Sequence, residues 1–297
     1  AVRAAGKPAV ACFLCSAEDF AAYDCKPETL GIPCFCDPQD AADAVAALTG
    51  YAGACSRSTE PAPPLLTAEQ REAAAALLRG LELPAGAILP ERLSKQLLAL
   101  AGFPVRVPVA AASAEDAIAA AEHFGYPVAL KAESYIVTHK TEVGGVRLGL
   151  KDADAVRAAF DAMLPALRTV DPDAAVTVQP MEPDGFELML GAARLDGTPL
   201  LVAGMGGIYA EALQDTAFRL APLPEGEAEA MLDSLRCALI LNGFRTAPLD
   251  KPAAAALVQR LSELMATLPQ IRELDLNPCR VYKTGCAVLD ARIVVNK

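Results

Sequence analysis

The stretch IRELDLNPCRVYKTGCAVLDARIVV, residues 271–295, constrains the fold more tightly than any other part of the chain. Polar and apolar residues alternate along its first half, so Glu273, Asp275 and Asn277 leave one face of a strand and Leu274 and Leu276 the other. A turn at Lys283-Thr284 pairs Tyr282 with Gly285, and the same register sets Asn277 opposite Asp290. A three-residue turn makes that pair diagonal, still within side-chain reach. Either way, hard oxygen donors gather on one polar face at the end of a sheet, with no His or Cys among them. Such a set suits Mg2+, which takes one or two protein groups and fills its octahedron with water and phosphate oxygens. A solvated face of an antiparallel sheet gives the same alternation, so the geometry alone leaves both readings open.

Upstream, GKPAVACFL reads as a buried strand, followed by an Ala- and acid-rich helical stretch, a short strand GIPCFC and an amphipathic helix DPQDAADAVAALTGYAG. This β-α-β-α tail, residues 1–55, has too few strands for a stable doubly wound domain, and with Ala1 as its first residue the chain is expected to be a piece of a longer one. Residues 56–86, with SRSTEPAPP, a lone helical run and LPAG, read as an interdomain linker. Residues 87–297 then form two lobes, about 87–170 and 171–297. ERLSKQLLALAG places Leu93, Leu97, Leu100 and Ala101 on one helical face and stops at Gly102. Ser113 and Asp116 make a capping-box variant for a helix that closes at Gly125, with His123 as an ordinary residue of its last turn. A further helix from Asp152 buries Val156, Phe160, Met163 and Leu167. AVTVQPM, FELMLGAARL and TPLLVAGM are strands, the last two joined by the hairpin signal Asp196-Gly197, and helices follow at about 225–240 and 251–267. The fold class is mixed, α/β in the tail and α+β in the two lobes.

A net charge of −11 argues against a nucleic-acid partner, which clustered Lys and Arg would be needed to bind. No window approaches the roughly 20 consecutive strongly apolar residues of a membrane span. Nine cysteines without paired metal-ligand spacing fit reduced thiols and a cytoplasmic setting, and those of CFLC, residues 12–15, are expected to be buried. Small molecules or proteins remain as partners.

Three other places could carry chemistry. Lys131 ends a strand among apolar neighbours, where a nucleotide phosphate would give its charge a reason. GMGGIYAE, residues 204–211, follows a strand directly, and its glycines either make a structural turn or let the backbone approach an anion; Glu211, Asp215 and Arg219 follow. His139, one of only two histidines, sits in THKTEVGG and is either a locally bonded loop residue or a nucleophile able to carry a phosphoryl group.

Taken together and in order, LLALAGFPV, YPVALKAES, THKTEVGGVRLGL, VTVQPM, FELMLGAARLDGTPLLVAGMGGIYAEALQDTAFRLAPL, ELDLNPCRVY and LDARI closely resemble the ATP-grasp part of the ADP-forming acyl-CoA synthetases, relatives of succinyl-CoA synthetase. The tail resembles the end of the flavodoxin-like CoA-ligase domain that precedes ATP-grasp in fused members. The resemblance implies that Lys131 contacts ATP phosphates, that Gln179, Met181 and Glu182 form the hinge cradling adenine, and that Asn277 and Asp290 hold Mg2+. It implies that His139 is a transient phosphohistidine. By motif position it adds Glu187, Gly206, Gly207, Glu211 and Arg219 to the ATP site. The implied reaction is acyl-CoA + ADP + phosphate ⇌ carboxylic acid + CoA + ATP, with acid and CoA bound through CoA-binding and CoA-ligase domains that this sequence lacks, so the chain is expected to be part of a larger chain or oligomer. A competing reading is a nucleotide- or acyl-CoA-sensing module of a protein acetyltransferase. An ATP-grasp carboxylate–amine ligase is a third, which would share the Mg2+ site without needing His139.

Overall fold

The computed structural model describes residues 7–22, 31–57, 59–84, 86–134, 144–207 and 213–296. His139 and Glu211 lie outside them. The chain divides into two compact units, residues 1–59 and 60–297.

In the first unit, β1 (Ala11–Cys12) pairs in parallel with β2 (Cys34–Phe35), with α1 (Ala17–Ala22) between them in sequence and α2 (Pro38–Cys55) after. Asp37 caps α2 by accepting from the Gln39 amide at 2.6 Å, and Pro38 supplies a first turn that needs no amide. Only Ala41 of α2 is buried, and Leu14 and Tyr51 stand exposed. Burial of the CFLC thiols is not what forms: Cys12 is exposed and Cys15 half-buried, because a two-stranded sheet gives its strands little cover.

The second unit has two lobes, each with its own sheet and core. The smaller sheet has the order β4-β7-β5-β6, from β4 (Val109–Ala111), β5 (Val128–Glu133), β6 (Val146–Leu150) and β7 (Ala175–Pro180), all antiparallel. The helices α5 (Ala114–Phe124) and α6 (Ala153–Arg168) cover one face of it. The capping box at Ser113 and Asp116 forms as expected, and Val156, Phe160, Met163 and Leu167 of α6 are buried. The larger sheet has the order β10-β9-β8-β11-β13-β3, with β12 also paired to β11. Its strands are β3 (Ala87–Leu89), β8 (Phe186–Leu195), β9 (Thr198–Met205), β10 (Thr216–Leu220), β11 (Ile271–Val281), β12 (Cys286–Val288) and β13 (Arg292–Val295). Asp196 and Gly197 take positive φ of 48° and 85°, the conformation a tight β8–β9 hairpin requires. One face of the sheet buries Leu188, Leu190, Leu201, Leu274 and Leu276 against helices, each side chain contributing about 1.5–3 kcal/mol.

Two boundaries differ from the sequence reading. The segment 56–86 is not a free linker from Leu66 onward: α3 (Ala68–Arg79) carries a Thr67/Gln70 capping box, and Leu66 and Ala74 sit in the larger core. The Glu263 carboxylate accepts from the amides of Leu65 and Leu66 at 2.9 Å each and fixes the approach to that helix. The change of lobe is also not a single cut near residue 170. β3 and α4 (Glu91–Leu100) belong to the larger lobe, whose core takes Leu89, Leu97 and Leu98, while β7 belongs to the smaller one. The chain therefore crosses between lobes twice, between α4 and β4 and between β7 and β8. Chain order cannot show this, because β3 finds its partner, β13, at the other end of the sequence. The helical region near 225–240 forms two short helices, α7 (Glu227–Asp233) and α8 (Ala238–Leu241), ahead of α9 (Lys251–Thr267).

Candidate nucleotide site

Between the lobes lies a cavity of about 290 Å³. Its polar lining comes from β5 through Lys131, α4 through Lys95, the segment after α4 through Arg106, the end of β7 and the crossing segment through Gln179 and Glu182, the β11–β12 hairpin through Arg280, and the segment before β13 through Asp290. The walls are apolar where Ala129, Val146, Leu148 and Val288 contribute, so a flat apolar group and a charged one could both be held.

Lys131 sits in the centre of the smaller sheet, paired with Thr177 of β7 and Val146 of β6, and is buried. Its ammonium is 2.7 Å from Glu91 Oε1 and 4.0 Å from Asp290 Oδ1. Burial works against its charge, but the carboxylates of Asp290 and Glu91 outweigh that and hold it above the usual lysine range. The same oxygen of Glu91 lies 2.9 Å from Nζ of a second buried lysine, Lys95. Burial pulls Lys95 below the ordinary range despite Glu91, and the charge of Lys131 adds to the fall. Sequence periodicity missed Glu91 and Lys95, because both fall on a helix that reads by its leucines. The available signal was a charged pair at i and i+4 that the structure turns inward, where surface placement is the default.

At the other end of the cavity Glu182 accepts from Arg106 Nε at 2.7 Å and from the Tyr282 hydroxyl at 3.4 Å. Burial and the Glu182 carboxylate push the Tyr282 hydroxyl up to about 12. Arg280 donates to the carbonyls of Glu182 (3.1 Å) and Pro183 (2.8 Å) and, at 2.9 Å, to the carboxylate of Glu187. The crossing segment is thus clamped to β8 by one guanidinium.

The hairpin register is the one read from a two-residue turn. Cys279 pairs with Val288, Val281 with Cys286, and Tyr282 N–H donates to the Gly285 carbonyl at 3.0 Å. Further along, Asp275 pairs with Arg292 and Leu274 with Ile293 in the same register, so Asn277 and Asp290 occupy facing positions between the two paired stretches. Asn277 is exposed and Asp290 half-buried, one neutral and one anionic oxygen donor; Asp290 lines the cavity, and Asn277 precedes Pro278, which also lines it. Among the described residues no three His, Cys, Asp or Glu side chains form a cluster able to cage a metal. A carboxylate at the cavity wall with a second oxygen donor in the facing position fits Mg2+, which keeps water and phosphate as its other ligands. Asp275, on the same strand face, is pushed up by loss of hydration and by the charge of Asp290.

Of the remaining expected residues, the described ones Glu187, Gly206, Gly207 and Arg219 do not line this cavity. Glu187 turns to Arg280, and its main-chain carbonyl accepts from Gly206 at 2.8 Å. A Cβ on Gly206 would stand 2.7 Å from the Leu188 carbonyl carbon, and one on Gly207, whose φ is 74°, would stand 2.5 Å from Glu187 Oε2. Gly206 is needed for close backbone contact with β8, and Gly207 for its positive φ. Arg219, on β10, pairs with Glu227 at 2.5 Å. No helix among the described residues is long and apolar enough to cross a membrane.

A lysine from one small sheet and a carboxylate from a segment between two strands of a second, larger one, facing each other across a cleft, define a class of nucleotide-binding fold. Residues 84–295 match the ATP-grasp domain family, and the chain belongs to it. Its relatives are acid–CoA ligases that form ADP. The chain is 34% identical over 300 residues to acetate–CoA ligase [ADP-forming] I of Archaeoglobus fulgidus, an alignment covering 98% of this chain and 43% of that protein. It is 34% identical over 212 residues to the beta subunit of acetate–CoA ligase [ADP-forming] I of Pyrococcus furiosus, covering 70% of this chain and 91% of that subunit. Among solved structures, a chain of the dinucleotide-forming acetyl-coenzyme A synthetase 1 of Ca. Korarchaeum cryptofilum, in complex with coenzyme A, Ca-AMPCP and HgCl+, matches with a TM-score of 0.69 at 32% identity, over 77% of this chain and all of that one. Another structure of that enzyme holds coenzyme A and Mg-AMPPCP, with its phosphohistidine segment pointing towards the nucleotide binding site; it matches with a TM-score of 0.62 at 31% identity, over 76% of this chain and all of that one. The chain therefore spans less than half of the A. fulgidus ligase and nearly all of the P. furiosus subunit.

Proposed function

We propose that this chain is the nucleotide-binding, phosphoryl-transferring part of an ADP-forming acyl-CoA synthetase, which runs acyl-CoA + ADP + phosphate ⇌ carboxylic acid + CoA + ATP. The observation that carries the reading is the pairing of Lys131 with Asp290 across the interlobe cavity, a cation and a metal-type carboxylate 4.0 Å apart. Lys131 binds and orients the phosphates as a point charge. Gln179, Met181 and Glu182, which line the other end, cradle the base and ribose. Asn277 and Asp290 would hold Mg2+, which when bound neutralises phosphate charge. Arg280 keeps the crossing segment in place through Glu182, Pro183 and Glu187. Glu187, Gly206 and Gly207 act as the support of that wall.

His139 is the phosphoryl carrier. In the ATP-forming direction its N–P bond breaks as a bond forms between phosphorus and a β-phosphate oxygen of ADP, leaving a free imidazole. Glu211 and Arg219 belong to the phosphate side by motif position. Residues 1–55 are the end of a flavodoxin-like CoA-ligase domain, a reading supported by the alignment with the A. fulgidus ligase, which covers 98% of this chain. Acid and CoA are then bound by domains or subunits outside this sequence. A cytoplasmic setting follows from that chemistry, since ADP, ATP and CoA are cytosolic pools.

Incubation with Mg2+ and γ-labelled ATP tests the reading. Acid-labile, base-stable label in the wild type, absent from His139→Ala, is the expected result. Nucleotide binding without label in either protein, even after the CoA-ligase domain is restored, would reassign the chain as a nucleotide-sensing module.

A further inference from the structure

Lys95 is 2% exposed, yet nothing in the reading above uses it. A leucine or methionine would fill the same place on α4 without the cost of taking a charge out of water. The ammonium has three N–H donors and meets three acceptors: Glu91 Oε1 at 2.9 Å, Gln179 Oε1 at 2.9 Å and the Leu289 carbonyl at 2.6 Å. All its donors are used, so it has none to offer a phosphate.

The acceptors come from three parts of the site. Glu91 is on its own helix in the larger lobe. Gln179 is at the end of β7, where the chain leaves the smaller lobe. Leu289 precedes Asp290. We propose that Lys95 is a positioning residue of the nucleotide site, fixing the carboxamide of Gln179 and the main chain that carries Asp290 with a single ammonium. This rests on reading the cavity as the nucleotide site.

The chemistry of the contact decides which way Gln179 faces. An ammonium only donates, so the atom it touches is the carboxamide oxygen, and the NH2 group is the one left for the cavity that Gln179 lines. Gln179 therefore presents a donor, suited to a ring nitrogen or a phosphate oxygen. The bond to the Leu289 carbonyl acts on the other wall. It anchors the peptide next to Asp290, whose Oδ1 also accepts from the Ala291 amide at 2.9 Å, so the carboxylate facing Asn277 is held from both sides. In Lys95→Met the Glu91 carboxylate keeps Lys131 at 2.7 Å, which leaves the phosphate lysine paired while Gln179 and Leu289 are released.

Calorimetric titration of the whole chain with ADP, with and without Mg2+, tests this. Lys95→Met is expected to bind Mg·ADP at least tenfold more weakly and to lose part of the gain that Mg2+ gives the wild type. Combined with Gln179→Leu, the two losses are expected to add to less than their sum, as for residues that act through one contact. Mg·ADP affinity within twofold of wild type in a folded Lys95→Met, or full additivity, overturns the proposal. A second readout needs no change at Lys95. The side-chain NH2 resonances of Gln179 in 15N-labelled protein, assigned by their loss in Gln179→Leu, are expected to shift on adding ADP, and resonances that stay put also overturn it. Lys131→Met separates the two levels. If the wild type binds no ADP, or Lys131→Met binds it equally well, the nucleotide reading falls and this one with it. If Lys131→Met loses affinity and Lys95→Met does not, only the role of Lys95 falls.

Discussion

Replacing Lys131 with Met removes the cation we propose for the phosphates and keeps most of its volume. The fold should tolerate the change. Glu91, left without Lys131, still has the ammonium of Lys95 at 2.9 Å, so no buried carboxylate is stranded. Asp290, the other neighbour, is 45% exposed and can recover hydration. The binding cost is another matter. A hydrogen bond to a charged group contributes about 1.5–3 kcal/mol. At about 1.4 kcal/mol per factor of ten, that is roughly a 10- to 150-fold loss in affinity for ADP. Adenosine has no phosphate and should bind as in the wild type. Titrating wild type and Lys131→Met with both ligands separates these terms. Equal losses for ADP and adenosine would mean that the substitution damaged the cavity as a whole. A change of less than about threefold for ADP alone would mean that Lys131 serves only Glu91, and either outcome refutes the assignment.

Gly206→Ala should destabilise the protein by about 1–3 kcal/mol in urea unfolding, because the new Cβ meets the main chain of Leu188 at 2.7 Å and backbone cannot step aside as a side chain can. Asp215 accepts from the amides of Arg236 (2.8 Å) and Cys237 (2.7 Å); desolvation raises its carboxyl, but those bonds outweigh it and hold it below the usual range. A lowered folded-state value gives stability that is present above the unfolded aspartate range, near about 3.9, and is lost as pH falls through the folded value. Asp215→Asn should therefore lose less stability than wild type between pH 7 and pH 3 in denaturant midpoints. The thiol of Cys237 is pushed up to about 12 by burial and by Asp215, whereas Cys12 and Cys55 are exposed. With an aromatic disulfide at pH 8, Cys12→Ser should shrink the fast phase and Cys237→Ser should leave it unchanged.

Local pattern made much of the molecule readable. The α6 face, the Ser113 capping box and the Asp196-Gly197 hairpin are set by residues near each other in sequence, and each formed as its spacing requires. The facing positions of Asn277 and Asp290 were readable for the same reason, since a two-residue turn fixes every pair in its hairpin. What escaped depends on partners far away in sequence. β3 pairs with β13, Lys95 meets Gln179 and Leu289, and Leu65 is held by Glu263, with separations that no period of 2 or 3.6 can encode. The glycines of 204–207 carried two readings; close packing on the Leu188 main chain accounts for Gly206, and a positive φ of 74° for Gly207.

The double crossing between lobes has a consequence for how the site assembles. Of the two side chains we propose for the metal, Asn277 is on β11 and Asp290 in the short segment between β12 and β13, both of which pair with β11, so their spacing is set within the larger sheet and does not depend on where the smaller lobe sits. Lys131 belongs to the smaller sheet and reaches Asp290 only across the gap. The first turns of α4 span that gap three times, through Glu91 to Lys131, Arg92 to Glu133 (2.9 Å) and Lys95 to Gln179. Metal affinity without nucleotide should then be insensitive to Arg92→Ala, which touches only the smaller lobe, while phosphate affinity should respond to it. The helix that the sequence marks by its leucines is packed by them into one lobe and, through its polar face, sets the position of the other.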